Sequence, residues 1–147
     1  MSIRDAKLVL ASEQAITATA VGENVLNMGA ALARWGEGEQ LYVHLLVEET
    51  FVSGAEDGTL TTHLQMADVV AMSTPQLAGE LIRTEAQLLA GEHYRMALPG
   101  GFDVEQFLRL NFTVGGTGDF TAGQVSSWIG PEGSTKAKIN PDARNIA

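Results

Sequence analysis

Apolar and polar residues alternate with a period of two over several short stretches of this chain, and no long stretch carries a helical repeat. The clearest strand is predicted over 41–48, where Leu41, Val43, Leu45 and Val47 share one face. A second spans 59–67, with Leu60, Thr62, Leu64 and Met66 together, and Asp57-Gly58 supplies a hairpin turn into it. A third spans 107–114, with Leu108, Leu110, Phe112 and Val114 inward and Arg109, Asn111 and Thr113 outward. Weaker alternation predicts strands over 15–20, 24–28, 80–88, 92–98 and 121–129. In 92–98, Tyr94, Met96 and Leu98 alternate with His93, Arg95 and Ala97. In 80–88, Ile82, Thr84, Ala86 and Leu88 oppose Leu81, Arg83, Glu85 and Gln87, although this stretch also holds good helix formers. A turn of helix fits within 26–35, and Gly29 and Gly36 limit it. About eight strands in one chain suffice for two packed sheets, so the fold class expected is an all-β antiparallel sandwich.

Glycine and proline punctuate the chain and do not pool into a linker. The 147 residues match one domain of about 100–150 residues, long enough to bury a core without metals or disulfides. The expected organisation is a sandwich over 1–130 with a short N-terminal arm, followed by an extension over 131–147 that lacks alternation. Eighteen acidic against nine basic residues give a net charge of −9. That balance disfavours nucleic acid and anionic membranes as partners, since both need a basic face. No apolar run approaches the roughly 18 residues of a membrane span, and the N-terminus lacks a signal-peptide core. The chain is expected to be soluble and unsecreted. The absence of cysteine removes disulfides, thiolate metal sites and cysteine nucleophiles, and fits a reducing compartment.

The candidate chemistry is sparse. His44 and His63 fall on the polar faces of their strands, and neither they nor His93 has zinc-protease spacing, so an outward surface position is expected for them. Glu48-Glu49 and Glu56-Asp57 sit near strand ends or turns and read as solvated loop charges. Gly115-Gly116-Thr117-Gly118 lacks the ending of a phosphate loop and lies between two strands, so it reads as a hairpin. No Gly-x-Ser-x-Gly elbow and no calcium loop is present. The sequence therefore predicts no catalytic residue, no cofactor and no metal, and a structural or binding role ahead of an enzymatic one.

Two features point to an interface. Trp128 alternates with Val125, Ser127 and Ile129, which places it on the outer face beside Gln124 and Ser126. An exposed tryptophan suits a protein contact, where this residue is enriched, and a contact with the chain's own tail is the alternative. Lys136, Lys138 and Arg144 against Glu132 and Asp142 leave the extension one positive charge in surplus on an otherwise acidic chain. With Arg4 and Lys7 at the other end, these residues are the expected interface contributors. The extension reads either as a frayed terminus or as an arm that orders on a neighbouring subunit.

The run from Ser12 through Gln14-Ala15-Ile16-Thr17-Ala18-Thr19-Ala20-Val21 into Asn24-Val25-Leu26-Asn27-Met28-Gly29 resembles the opening of the capsid cement, or decoration, proteins of short-tailed bacteriophages. The blocks Tyr94-Arg95-Met96-Ala97-Leu98-Pro99, Phe107 to Val114 and Phe120 to Val125 are similar to the second half of that family, in the same order and spacing. The resemblance covers roughly residues 5–130 and implies a jelly-roll sandwich on the outer surface of the phage head, made in the bacterial host cytoplasm. It implies no catalysis and no cofactor. The implied partners are the major capsid protein, whose subunits it bridges against internal DNA pressure, and copies of itself as a dimer or trimer. The extension from Pro131 is longer than the family leads one to expect.

Two other readings compete. One is a different virion sandwich, a head or tail fibre component that binds host carbohydrate, for which Tyr42, His44 and Glu48 on one strand face are the candidate site. The other is an enzyme on a jelly-roll scaffold such as a cupin, which needs clustered histidine and carboxylate ligands.

Overall fold

The computed structural model describes residues 9–27, 41–67, 69–97 and 107–131. Among them the strands are β1 (Val9–Ala15), β2 (Ala20–Val21), β3 (Leu26–Asn27), β4 (Leu41–Ser53), β5 (Thr59–Ala67), β6 (Gln76–Thr84), β7 (His93–Ala97), β8 (Phe107–Gly115) and β9 (Phe120–Pro131). They form two antiparallel sheets. One has the order β1-β9-β4-β7, and the other β2-β8-β5-β6 with β3 also on β8. β2 and β3 act as one interrupted strand, since both pair with β8. The early strands therefore pair with the late ones (β1 with β9, β2 and β3 with β8, β4 with β7) and β5 pairs with β6. This is the jelly-roll topology, a long hairpin rolled into a two-sheet sandwich.

The core fills the space between the sheets. The inward faces of β4 (Val43, Leu45, Val47), β5 (Leu60, Leu64, Met66) and β8 (Leu108, Leu110, Phe112) are buried, as the period of two requires. Leu10, Ile16, Phe51, Phe120, Val125 and Ile129 belong to it too, with Phe51 and Phe120 edge to face at 4.9 Å. Gly123 makes that pair possible. Its φ is +148°, and a Cβ there would lie 2.5 Å from the Phe51 ring.

Three expectations need correction. The strand expected over 15–20 is a turn joining β1 and β2, and β1 lies upstream. Register shifts between Val9 and Ala11 and between Ala11 and Gln14 break the alternation of β1, which hides it from periodicity. The Gln14 side chain closes the turn, donating to the Val21 carbonyl at 2.9 Å and accepting from the Glu23 amide at 2.8 Å. The strand expected over 80–88 begins at Gln76 and stops at Thr84. There the Gln87 side-chain oxygen accepts the Thr84 amide at 3.0 Å and starts a 3-10 turn over Glu85–Gln87. Leu81 is the inward residue of β6, and Ile82 is exposed. The third correction concerns 24–28. Only Leu26–Asn27 form a strand, and Met28, like the helical turn expected beyond it, lies outside the described residues. β9 runs through Pro131, one residue into the segment expected to be the extension.

Candidate functional site

The interface candidates separate at once. Arg4, Lys7, Lys136, Lys138 and Arg144 lie outside the described residues. Trp128 lies in β9, opposite His44 of β4 and Val9 of β1, and is absent from the core cluster between the sheets. Its face is the expected one, turned away from the other sheet. Its exposure is not. Trp128 has 0% accessible surface, so the exposed tryptophan read from the sequence is corrected to a buried one. The His44 ring stacks on the indole at 5.4 Å and 13°, and the His93 ring tilts against it at 5.5 Å.

His44 is likewise fully buried, where an outward surface histidine was expected. Cross-strand register builds the cluster. β4 places His44 opposite Trp128 on one side and Arg95 of β7 on the other. His93 lies two residues before Arg95 and brings its Nε2 to 2.9 Å from His44 Nδ1. His44 Nε2 lies 3.2 Å from the Gly130 carbonyl. A carbonyl only accepts, so His44 carries its proton on Nε2 and leaves Nδ1 bare. The His93 Nε2–H then donates to it. His93 stays exposed at the sheet edge; partial desolvation of its ring, first, and then the neighbouring His44 and Arg95 push its pKa below the ordinary histidine value. Tyr42 closes the row, with the Arg95 guanidinium 5.3 Å from its ring centre.

This arrangement decides the carbohydrate site proposed by the sequence. Tyr42 and Glu48 retain partial exposure, but His44 between them shows none and has both ring nitrogens engaged. The three residues do not form an open polar edge for a sugar. His63, also expected outward, is half-buried and pairs with Glu80 across β5 and β6 at 2.9 Å. Among the described residues no three histidine or carboxylate side chains gather as metal ligands. No helix there is long and apolar enough to cross a membrane.

Two carboxylates do more than solvate loops. Asp57 accepts the Thr117 amide at 3.0 Å and the Thr117 hydroxyl, tying the β4–β5 turn to the β8–β9 hairpin. Gly116, at φ +111°, fits there because a Cβ would lie 2.8 Å from the Asp57 carbonyl. Glu85 accepts the Ser53 amide at 2.8 Å and the Ser53 hydroxyl at 2.6 Å, pinning the 3-10 turn to the end of β4. These hydrogen bonds hold both carboxyls below their ordinary range. Neither the Ser53–Glu85 nor the His44–His93 contact leaves a local mark, because the partners stand 32 and 49 residues apart.

The family model Bbp16 matches residues 10–129, more than four fifths of the chain. The chain belongs to the Bbp16 family. This is a phage-related family, in agreement with the phage resemblance of the sequence. The Bbp16 match runs from Leu10 in β1 to Ile129 in β9, so it takes in both sheets and the whole His44, His93 and Trp128 cluster. Arg4, Lys7, Lys136, Lys138 and Arg144 fall outside it. No curated protein matches the chain.

Proposed function

We propose that this Bbp16-family protein is a structural, non-enzymatic virion component that acts as capsid cement. It binds the outer surface of the phage head and bridges subunits of the major capsid protein, stabilising the shell against internal DNA pressure. The observation that carries the reading is the match of a phage-related family over both sheets of a jelly roll, the architecture that the cement-protein resemblance implies. Physical argument supports it. A repeating lattice multiplies weak single contacts, so a shell protein gains its hold by avidity without a deep pocket. The net charge of −9 keeps the protein from competing for the packaged genome. Self-association into a dimer or trimer belongs to the same proposal, as do contacts from Arg4, Lys7, Lys136, Lys138 and Arg144. Trp128 is not among these contacts, since it is buried within the protomer.

The test is co-sedimentation of the purified protein with mature, expanded capsids that lack it, with unexpanded shells as control. Saturable binding to the expanded shell, at a fixed ratio to the major capsid protein, is expected. Absence of binding to either shell overturns the reading. A chain cut after Pro131, the last residue of β9, is expected to keep its fold and bind more weakly.

A further inference from the structure

We propose that the outer face of the β2-β8-β5-β6 sheet is the surface through which two copies of this chain associate about a two-fold axis. The proposal deepens the self-association part of the proposed function and rests on that part alone. The two sheets differ on their outer faces. That of the β1-β9-β4-β7 sheet is closed at Trp128, His44 and Ser126, which show 0% accessible surface. That of the other sheet is open. On β6, Leu77 is 61% exposed and Ile82 52%, beside half-buried Thr61, His63 and Gln65 on β5. These β5 residues alternate with the buried Leu60, Leu64 and Met66, so they point away from the core, and Ile82 and Leu77 lie opposite Thr61 and Gln65.

Charge singles out this face and names its occupant. Among the described residues, ten carboxylates stand against three arginines. Of these, only Glu80 and Arg109 occupy the outward positions of this sheet, so an acidic chain presents here a face of zero formal charge. Two such chains meet with least repulsion through it. The two charges are also self-complementary. Glu80 lies opposite His63, and Arg109 opposite Gln65, two residues further along β5 and on its other side. A strand spacing of about 4.8 Å and a rise of about 3.4 Å per residue put them about 12 Å apart. A two-fold axis passing between them sets Glu80 of one copy against the partner's Arg109 and the reverse, two ion pairs from one contact. Both side chains are already held. Glu80 pairs with His63 at 2.9 Å, and Arg109 Nε donates to Gln65 at 2.8 Å, which lowers the ordering cost of an interface. The nine-residue strands β5, β6 and β8, with β2 and β3 beside them, cover about 500 Å². A pair then buries about 1,000 Å², enough for a weak dimer.

The test is sedimentation equilibrium of the purified full chain at neutral pH and low salt, with thermal melting to check that each variant is folded. Wild type is expected to be a dimer with a dissociation constant in the micromolar range. Arg109→Glu sets acid against acid across the face, and Glu80→Arg sets base against base; each should weaken the dimer at least tenfold. The double reversal restores both pairs and should return the dimer to within threefold of wild type. General repulsion predicts otherwise, since Glu80→Arg lowers the net negative charge and would tighten the dimer. A monomeric wild type overturns the proposal together with the self-association reading. A trimer, or a dimer that neither reversal changes by more than threefold, overturns the face and leaves self-association standing. A double variant as weak as either single one overturns it as well. Single variants that stay dimeric but no longer co-sediment with expanded capsids assign the face to the shell, which also overturns the proposal.

Discussion

Truncating Trp128 separates a buried structural residue from an exposed contact residue. A tryptophan covers about 200–250 Å² when fully buried. At about 25 cal/mol per Å², its removal from water amounts to about 5–6 kcal/mol, an upper figure because unfolded chains already hide part of that surface. Measured truncations of buried aromatics cost about 3–5 kcal/mol, the spread reflecting how far each site collapses. The Trp128 site is walled by the stacked His44 ring and the tilted His93 ring, on strands fixed by the β4–β9 and β4–β7 registers. Little collapse is therefore expected, and Trp128→Ala should cost about 4 kcal/mol. For a domain of this size that lowers the melting temperature by about 8–16 °C. Urea denaturation followed by circular dichroism measures the loss directly. A double-mutant cycle with His44→Ala should return a coupling of about 0.5–1.5 kcal/mol for the stack. Exposed side chains change stability by about 0.5 kcal/mol or less. A Trp128→Ala cost below about 1 kcal/mol, with no coupling to His44, refutes the buried assignment.

Two further predictions concern single polar groups. The Thr62 hydroxyl is buried on the inner face of β5 with no hydrogen-bond partner, so Thr62→Val should raise stability by about 1 kcal/mol. A loss in urea denaturation would show that the hydroxyl has a partner. Both Asp57 and Glu85 have depressed affinities for protons, so the turns they tie stay closed above the ordinary carboxylate range and open only as pH falls through the lowered values. Carbon-13 titration of the two carboxyls should find both midpoints below ordinary values, and Ser53→Ala should raise that of Glu85; midpoints at or above ordinary values, or a Glu85 midpoint unmoved by Ser53→Ala, count against the clamps.

Periodicity found the strands that pair without interruption. β5 and β8 meet over nine consecutive residue pairs, and their inward faces are the ones the alternation picks out. It failed where a side chain or a bulge sets the boundary. β1 loses its alternation to two register shifts. β6 ends where the Gln87 side chain captures the Thr84 amide, a contact that looks like helix propensity in a linear reading. The two-residue strands β2 and β3 are too short to carry a period, and only their shared partner β8 makes them one element. The jelly-roll order came from the family resemblance; alternation supplies strands enough for a sandwich, but it says which residues face inward and not which strands are neighbours.

The site was legible to the same depth. Alternation placed Trp128 and His44 correctly on the face of their strands that turns away from the core. It then equated that face with solvent, which holds only for a sheet covered on one side. From Val125 to Gly130 every residue of β9 is buried, so both faces of the strand are covered there. Two serines in that stretch carry the same message. The Ser127 hydroxyl donates to the His44 carbonyl at 2.7 Å, and the Ser126 hydroxyl accepts the Glu13 amide at 2.9 Å. Both small polar residues, Ser126 on the face read as solvent and Ser127 on the other, use their hydroxyls on backbone groups, which is how a buried polar side chain is satisfied. Trp128, Ser126 and His44 therefore read as surface in one dimension and as a second interior in three.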